Sequence, residues 1–229
     1  MADLLTEMAE LATRLGPRPG RLGRAVQFVG LRNGDGVSTL ARAFACAVAE
    51  TSRRGVWLVE LDLAANAQYD VIDSDPEIYG RLGAAVRGSP DGSTFYRLDP
   101  AQPEGAPPAA ALLAAYGAQD RNLWVTRFIG EALRPGQTVQ VVDAEPYWRQ
   151  MRSRFDWIVV DAPAVERSDA ALVTARRMDA NILVLDASRG DIDADATLRD
   201  LVRKVGGPVT GAVLNRASRA LCEPVRKRR

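Results

Sequence analysis

With 229 residues, 47% of them hydrophobic, the chain is long enough for one sizeable α/β domain with a buried core. Its 30 basic and 29 acidic residues nearly cancel, so no global charge points to a specific nucleic acid partner. Histidine is absent and the two cysteines, Cys46 and Cys222, form no C-x-x-C, which excludes the usual zinc sites and any histidine-based triad; chemistry must come from carboxylates, hydroxyls and arginines.

In chain order, Leu4, Leu5, Met8, Leu11, Ala12 and Leu15 recur at helical spacing and predict a leading amphipathic helix. GPRPG at 16–20 stops it and hinges it to the body, so residues 1–20 are read as a separate leading unit. This start carries acids, and the chain has no run of about 18 apolar residues, so neither a signal peptide nor a membrane span is expected and the location is read as cytoplasmic. AVQFVG (25–30) predicts a strand, LRNGDG a glycine-containing loop, and the alanine-rich run from about Ser38 to Ser52 a long helix. GVWLVELDL then supplies a second strand, and its unbroken apolar run 56–59 fits a strand covered on both faces. That βαβ order implies parallel pairing through a right-handed crossover.

From Asn66 to about Asn122 the signals weaken, with SPDGS, DPAQPEGAPP and two alanine-rich stretches that read as helices. NLWVTRFI (122–129) predicts a strand, GEALRPGQTVQVV is ambiguous, and EPYWRQMRSR (145–154) predicts a helix leading into FDWIVVDAPAV, a strand that ends on Asp161. A helix over 168–178, the strand ANILVLDAS, a helix from about Asp195 to Lys204 and the strand TGAVLNR complete the pattern. Alternating helices and buried strands over residues 21–216 give the fold class: α/β, a doubly wound, mostly parallel sheet flanked by helices. The tail, 217–229, ends on Arg226, Lys227, Arg228 and Arg229, either a solvated end or a contact for anionic lipid, polymer or the acidic face of a partner.

A phosphate loop reads G-x-x-x-x-G-K-[ST]: backbone N–H groups at a helix start surround phosphates, the lysine neutralises them and the hydroxyl holds Mg²⁺. Here Leu31 stands at the first glycine, Gly34 and Gly36 are present, Val37 replaces the lysine, and Ser38 and Thr39 supply hydroxyls. A glycine-rich turn that merely lets strand and helix pack closely has the same look. Asp62 and Asp161 each end a buried strand, at the edge where such sheets bind ligands, and each is read either as a strand-end cap or as a ligand to Mg²⁺.

These segments together resemble the MinD/ParA-type P-loop ATPases, and within them the bacterial tyrosine kinase (BY-kinase) domains of polysaccharide biosynthesis and export. The A-x-P-G-x-G-K-S-T loop of that family is similar to Leu31–Thr39, its VLLIDADLRRP to VWLVELDLAAN with Glu60 and Asp62, and its YDLVIIDTPPV to FDWIVVDAPAV with Asp161 as the Walker B acid. SDA at 168–170, LVLDASR and GAVLN with Asn215 follow in order, so the resemblance runs from about Arg24 to Asn215. It implies ATP or ADP with Mg²⁺ as ligands. It places phosphates on Arg32, Gly34, Asp35, Gly36, Val37, Ser38 and Thr39, nucleotide also at Asn215, Mg²⁺ on Ser38 and Asp161 with Asp62 as a further candidate, and catalytic roles on Asp62 and Asp161.

The departures matter equally. Val37 removes the lysine that family members set on the β- and γ-phosphates, and such a loss costs several kcal/mol of transition-state stabilisation. Arg32 stands where the MinD/ParA signature lysine reaches across a dimer, as a substitute charge or as an exposed loop arginine. The five tyrosines, Tyr69, Tyr79, Tyr96, Tyr116 and Tyr147, leave the C-terminal end without the tyrosine cluster that the kinases phosphorylate, and their E-x-x-R-x-x-R oligomerisation helix is unmatched. The leading expectation is therefore a degenerate, catalytically impaired P-loop protein, peripheral to the inner membrane through a membrane-bound polysaccharide co-polymerase or export protein. An active ParA/MinD-type ATPase that dimerises on nucleotide, and a scaffold that binds none, are the alternatives; a homo-oligomer is compatible with the first two.

Overall fold

A computed structural model of the chain describes residues 2–16 and 21–217. The hinge after Gly16, Cys222 and the basic residues of the tail lie outside the described residues. Strand β1 (Arg24–Gly30), helix α2 (Val37–Ala49) and strand β2 (Val56–Glu60) form the first βαβ unit, preceded by helix α1 (Ala2–Arg14). Helices α3 (Ala67–Ser74) and α4 (Pro76–Tyr79) follow, then strands β3 (Val86–Arg87), β4 (Tyr96–Asp99), β5 (Leu113–Ala118), β6 (Leu123–Phe128) and β7 (Thr138–Val141). The last part alternates: α5 (Glu145–Arg154), β8 (Trp157–Asp161), α6 (Ala170–Ala175), β9 (Ala180–Asp186), α7 (Ile192–Lys204) and β10 (Val209–Asn215).

Eight strands make one sheet in the order β10-β9-β1-β8-β2-β6-β5-β3, parallel from β10 to β6 and antiparallel beyond. The mostly parallel α/β sheet is thus observed. Alternation along β1 divides the core: Val26 and Phe28 join the cluster under α1 and α2, whereas Ala25 and Val29 join the one beneath α5, α6 and α7. Gln27 also faces α6, and its buried amide is satisfied by the Ala171 carbonyl, Asn181 and Thr174, which keeps a polar side chain affordable inside a sheet. Among the described residues no helix is long and apolar enough to cross a membrane.

The weak-signal region departs from expectation. Neither alanine-rich stretch is an α-helix: Ala84 and Ala85 lead into β3, and residues 109–118 form a short 3₁₀ turn followed by β5. Pairing with β6 across all six residues and burial of Leu113, Ala114 and Ala115 override the helical preference of alanine. The ambiguous segment supplies β7, which pairs with β4 in a separate two-stranded sheet. Next to that small sheet, Phe95 packs on Tyr147 and Trp148 of α5, and Tyr96 of β4 packs on Phe128 of β6.

Candidate functional site

Register brings the site together. Asp161 pairs with Phe28 on one side and Glu60 on the other, so the C-terminal ends of β1, β8 and β2 lie at one level. The loop 31–36 rises from β1 and turns into α2. Gly34 (φ 84°) and Gly36 (φ 97°) hold left-handed backbone, which costs any other residue type roughly 1–2 kcal/mol. At Gly36 space is also closed, since a Cβ there would lie 2.0 Å from Asn215 Nδ2.

The loop is tied from three directions. Asn215 Nδ2 donates to the Asp35 carbonyl (2.8 Å), Glu166 Oε1 accepts from the Asn33 N–H (2.7 Å), and Asp35 Oδ2 accepts from the Arg32 N–H (2.9 Å). No described residue accepts from the N–H groups of Gly34, Gly36, Val37 or Ser38, and α2 has no side-chain cap. The four residues line a cavity of about 300 Å³ that Arg32, Arg167 and Arg216 also border. A second cavity of about 300 Å³ shares Ser38, Pro163 and Arg167 with it and reaches Glu60, Asp62 and Asp161. Donors at a helix start beside buried carboxylates can hold an anion and, through the carboxylates, its counter-cation.

Val37 is 8% exposed and its side chain belongs to the core cluster beneath α2, so it offers the cavity only its main chain. Arg32 is ion-paired with Asp191, at the start of α7, at 2.5 Å, and Arg216 holds Asp186 at the same distance. Asp62 accepts from Arg167. Thr39 is exposed and borders the cavity over the loop. Asn215 spends both ends of its amide on backbone, the Asp35 carbonyl and the Arg216 N–H, and lines a groove beside α1 instead of the cavity above the loop.

Asp161 is the innermost acid. It is 2% exposed, its Oδ2 accepts from Gln68 Nε2 at 2.7 Å, and its Oδ1 has no partner. Burial pushes its carboxyl up to about 6, against the lowering effects of Gln68, the Ser38 hydroxyl and the Arg42 charge. Burial raises Glu60 to about 8, with Asp161 adding to the rise and the Gln68 N–H opposing it. Among the described residues no three ligating side chains converge, so Mg²⁺ would be held by the Ser38 hydroxyl, Asp161 Oδ1 and water. An orphaned buried carboxylate oxygen beside a serine in an open cavity fits that ion.

Three residues were missed by sequence reasoning. Gln68 is fully buried and links the site, donating to Asp161 and to the Ser38 carbonyl (2.8 Å) while its Oε1 accepts from Arg42 (2.9 Å). It sits in a helix of weak pattern and carried no signal. Arg167, four residues past Pro163, and Arg216, next to Asn215, adjoin motif positions, and that adjacency was the available signal.

Sheet order, loop and strand-end acids give the chain the P-loop fold shared by BY-kinase domains and MinD/ParA-like ATPases. No protein-family model matches the chain. It is similar, at 33% identity over 69 residues, to a Staphylococcus aureus protein described as "Putative tyrosine-protein kinase CapB"; the match spans 30% of this chain and 30% of that protein. Among solved structures it resembles the chimerical protein CapA2B2 (TM-score 0.59, 14% identity, 92% of this chain and 83% of that one). It also resembles the VpsO kinase domain (TM-score 0.57, 18% identity, 95% and 97%) and MinD from Pyrococcus horikoshii complexed with Mg-ADP (TM-score 0.52, 18% identity, 86% and 72%). At these identities the structural matches establish the fold.

Proposed function

We propose that the chain is a degenerate P-loop protein of the BY-kinase type, which binds nucleotide phosphate weakly and regulates a membrane-bound polysaccharide co-polymerase or export protein by association instead of phosphorylation. The observation that carries this reading is Val37: the position that would neutralise phosphate is packed into the core, while the amides around it remain free. Phosphates would rest on the N–H groups of Gly34 to Ser38, with Arg32 and Arg216 at the rim. Mg²⁺, when bound, screens phosphate charge, and Ser38 and Asp161 are the residues that would hold it. Asp62 lies near the entrance but is engaged by Arg167, which argues against a free catalytic base. The kinase names among the similar proteins support the BY-kinase reading, and the polysaccharide setting and the choice of partner follow from the motif resemblance to that family.

The test is a calorimetric titration of Mg-ADP and Mg-ATP into the wild type and Val37→Lys. Restored lysine is expected to tighten binding at least tenfold, and the wild type to show weak or no ATP turnover. Wild-type turnover that disappears in Asp161→Ala would overturn the degenerate reading. A dimer that forms only with Mg-ATP would favour the MinD/ParA-type ATPase, and absence of any binding at millimolar ligand in both proteins would favour a scaffold.

A further inference from the structure

A separate cavity of about 270 Å³ is enclosed by α1, α2, α4 and the turn between β5 and β6. Its walls are mainly apolar, with Leu4 and Leu5 from α1, Ala43 and Cys46 from α2, Ile78 from α4 and Leu123 from β6. Of the charged side chains that line it, Glu50, Asp120 and Arg121 belong to exposed residues, and only Arg42 is half-buried.

Arg42 is unusual in its company. Its Nε donates to the Tyr79 hydroxyl at 3.2 Å, its NH1 donates to Gln68 Oε1 at 2.9 Å, and its guanidinium stands 5.9 Å from the Tyr79 ring centre. All these partners are neutral, and it forms no ion pair with any described carboxylate. A half-buried cation whose direct partners are all neutral, with Asp161 acting on it only from beyond Gln68, favours an anion in the recess more strongly than a solvated arginine does. The recess offers an aliphatic chain the burial that the guanidinium does not.

We propose that this cavity binds a small amphipathic anion, an aliphatic chain packed on Leu5, Ala43 and Leu123 with one carboxylate or phosphate on Arg42. Such a ligand draws Arg42 away from Gln68. That contact decides which end of the Gln68 amide faces Asp161, because Oε1 receives Arg42 while Nε2 serves Asp161 and the Ser38 carbonyl. The cavity is therefore coupled to the loop site, a coupling that rests on the proposed function. Binding of the anion does not rest on it.

The experiment is a calorimetric titration of octanoate, octyl phosphate, 1-octanol and inorganic phosphate into the full chain, Arg42→Gln and Cys46→Phe. One saturable site is expected for octanoate or octyl phosphate, at least tenfold weaker for 1-octanol and inorganic phosphate. Arg42→Gln is expected to weaken it at least tenfold, and Cys46→Phe, which fills the cavity, to abolish it. Whichever anion binds better distinguishes a carboxylate from a phosphate ligand. No saturable binding at millimolar octanoate and octyl phosphate, or affinity unchanged in both variants, overturns the proposal. Should a variant fail to fold, thiol modification of Cys46 in the unaltered chain decides: octanoate is expected to slow it several-fold, and an unchanged rate overturns the proposal. An octanoate isotherm without any Mg-ADP binding would leave the cavity assigned and the nucleotide reading refuted.

Discussion

Replacing Asp161 by asparagine removes a charge that the fold holds at a cost. The folded carboxyl is raised from 3.8 to about 6, so between those values the native state binds a proton that the unfolded chain has released. The stabilisation is complete below the unfolded value and is lost as pH rises through about 6. At about 1.4 kcal/mol per pH unit, ionised Asp161 lowers stability by about 3 kcal/mol at neutral pH. Asparagine keeps the shape and an acceptor for Gln68 Nε2, and it has no charge to desolvate. Asp161→Asn is expected to match the wild type near pH 4 and to exceed it by about 3 kcal/mol at pH 7.5, or roughly 6–12 °C in Tm for a chain of this size. Glu60, raised to about 8 in part by the Asp161 charge, weakens both proteins toward higher pH but the variant less, so it adds to the expected difference. Urea unfolding from pH 4 to 7.5 measures the difference. Parallel stability profiles for the two proteins would refute the reasoning.

Gln68→Ala is expected to destabilise the chain by about 2–3 kcal/mol, since the Asp161 carboxylate, the Ser38 carbonyl and Arg42 each lose a partner; it also moves the Asp161 pKa upward, a shift to be followed by pH-dependent unfolding. Gly36→Ala must adopt φ 97° and displace Asn215 from the Asp35 carbonyl, so a loss of about 2–3 kcal/mol is expected, accompanied by weaker anion binding at the loop. Val37→Lys gives up a buried valine and should cost about 1.5–3 kcal/mol in denaturant unfolding while nucleotide affinity rises. A gain in affinity together with a loss in stability separates a lysine that reaches phosphate from one that merely disturbs the helix start.

The parallel part of the sheet was legible because burial on both faces writes itself into β2, β8 and β9 as unbroken apolar runs and into β1 as one interrupted only by Gln27, and α5 carries helix signals at both ends of 145–154. The loop was legible from its glycines and from the strand and helix that flank it. The β5 strand was not, because alanine reports neither strand nor helix once pairing with β6 decides the matter. Gln68 illustrates a different limit. A glutamine becomes a linchpin only through what is folded around it, here Asp161 from 93 residues further along and Arg42 from α2. The paired state of Arg32 was equally hidden, since its carboxylate, Asp191, lies 159 residues away.

The uncapped start of α2 has a further consequence. Its first turn contains no acidic residue, and Gly36 provides no side-chain oxygen, so nothing local offsets the aligned peptide dipoles there. Such an end carries roughly half an elementary positive charge. A lysine in place of Val37 would add a charge that titrates, can be chemically modified and depends on one flexible stem. The attraction left without it belongs to the main chain: it does not change with pH, no side-chain modification removes it, and only a change in the path of the backbone at Gly34 or Gly36 can abolish it.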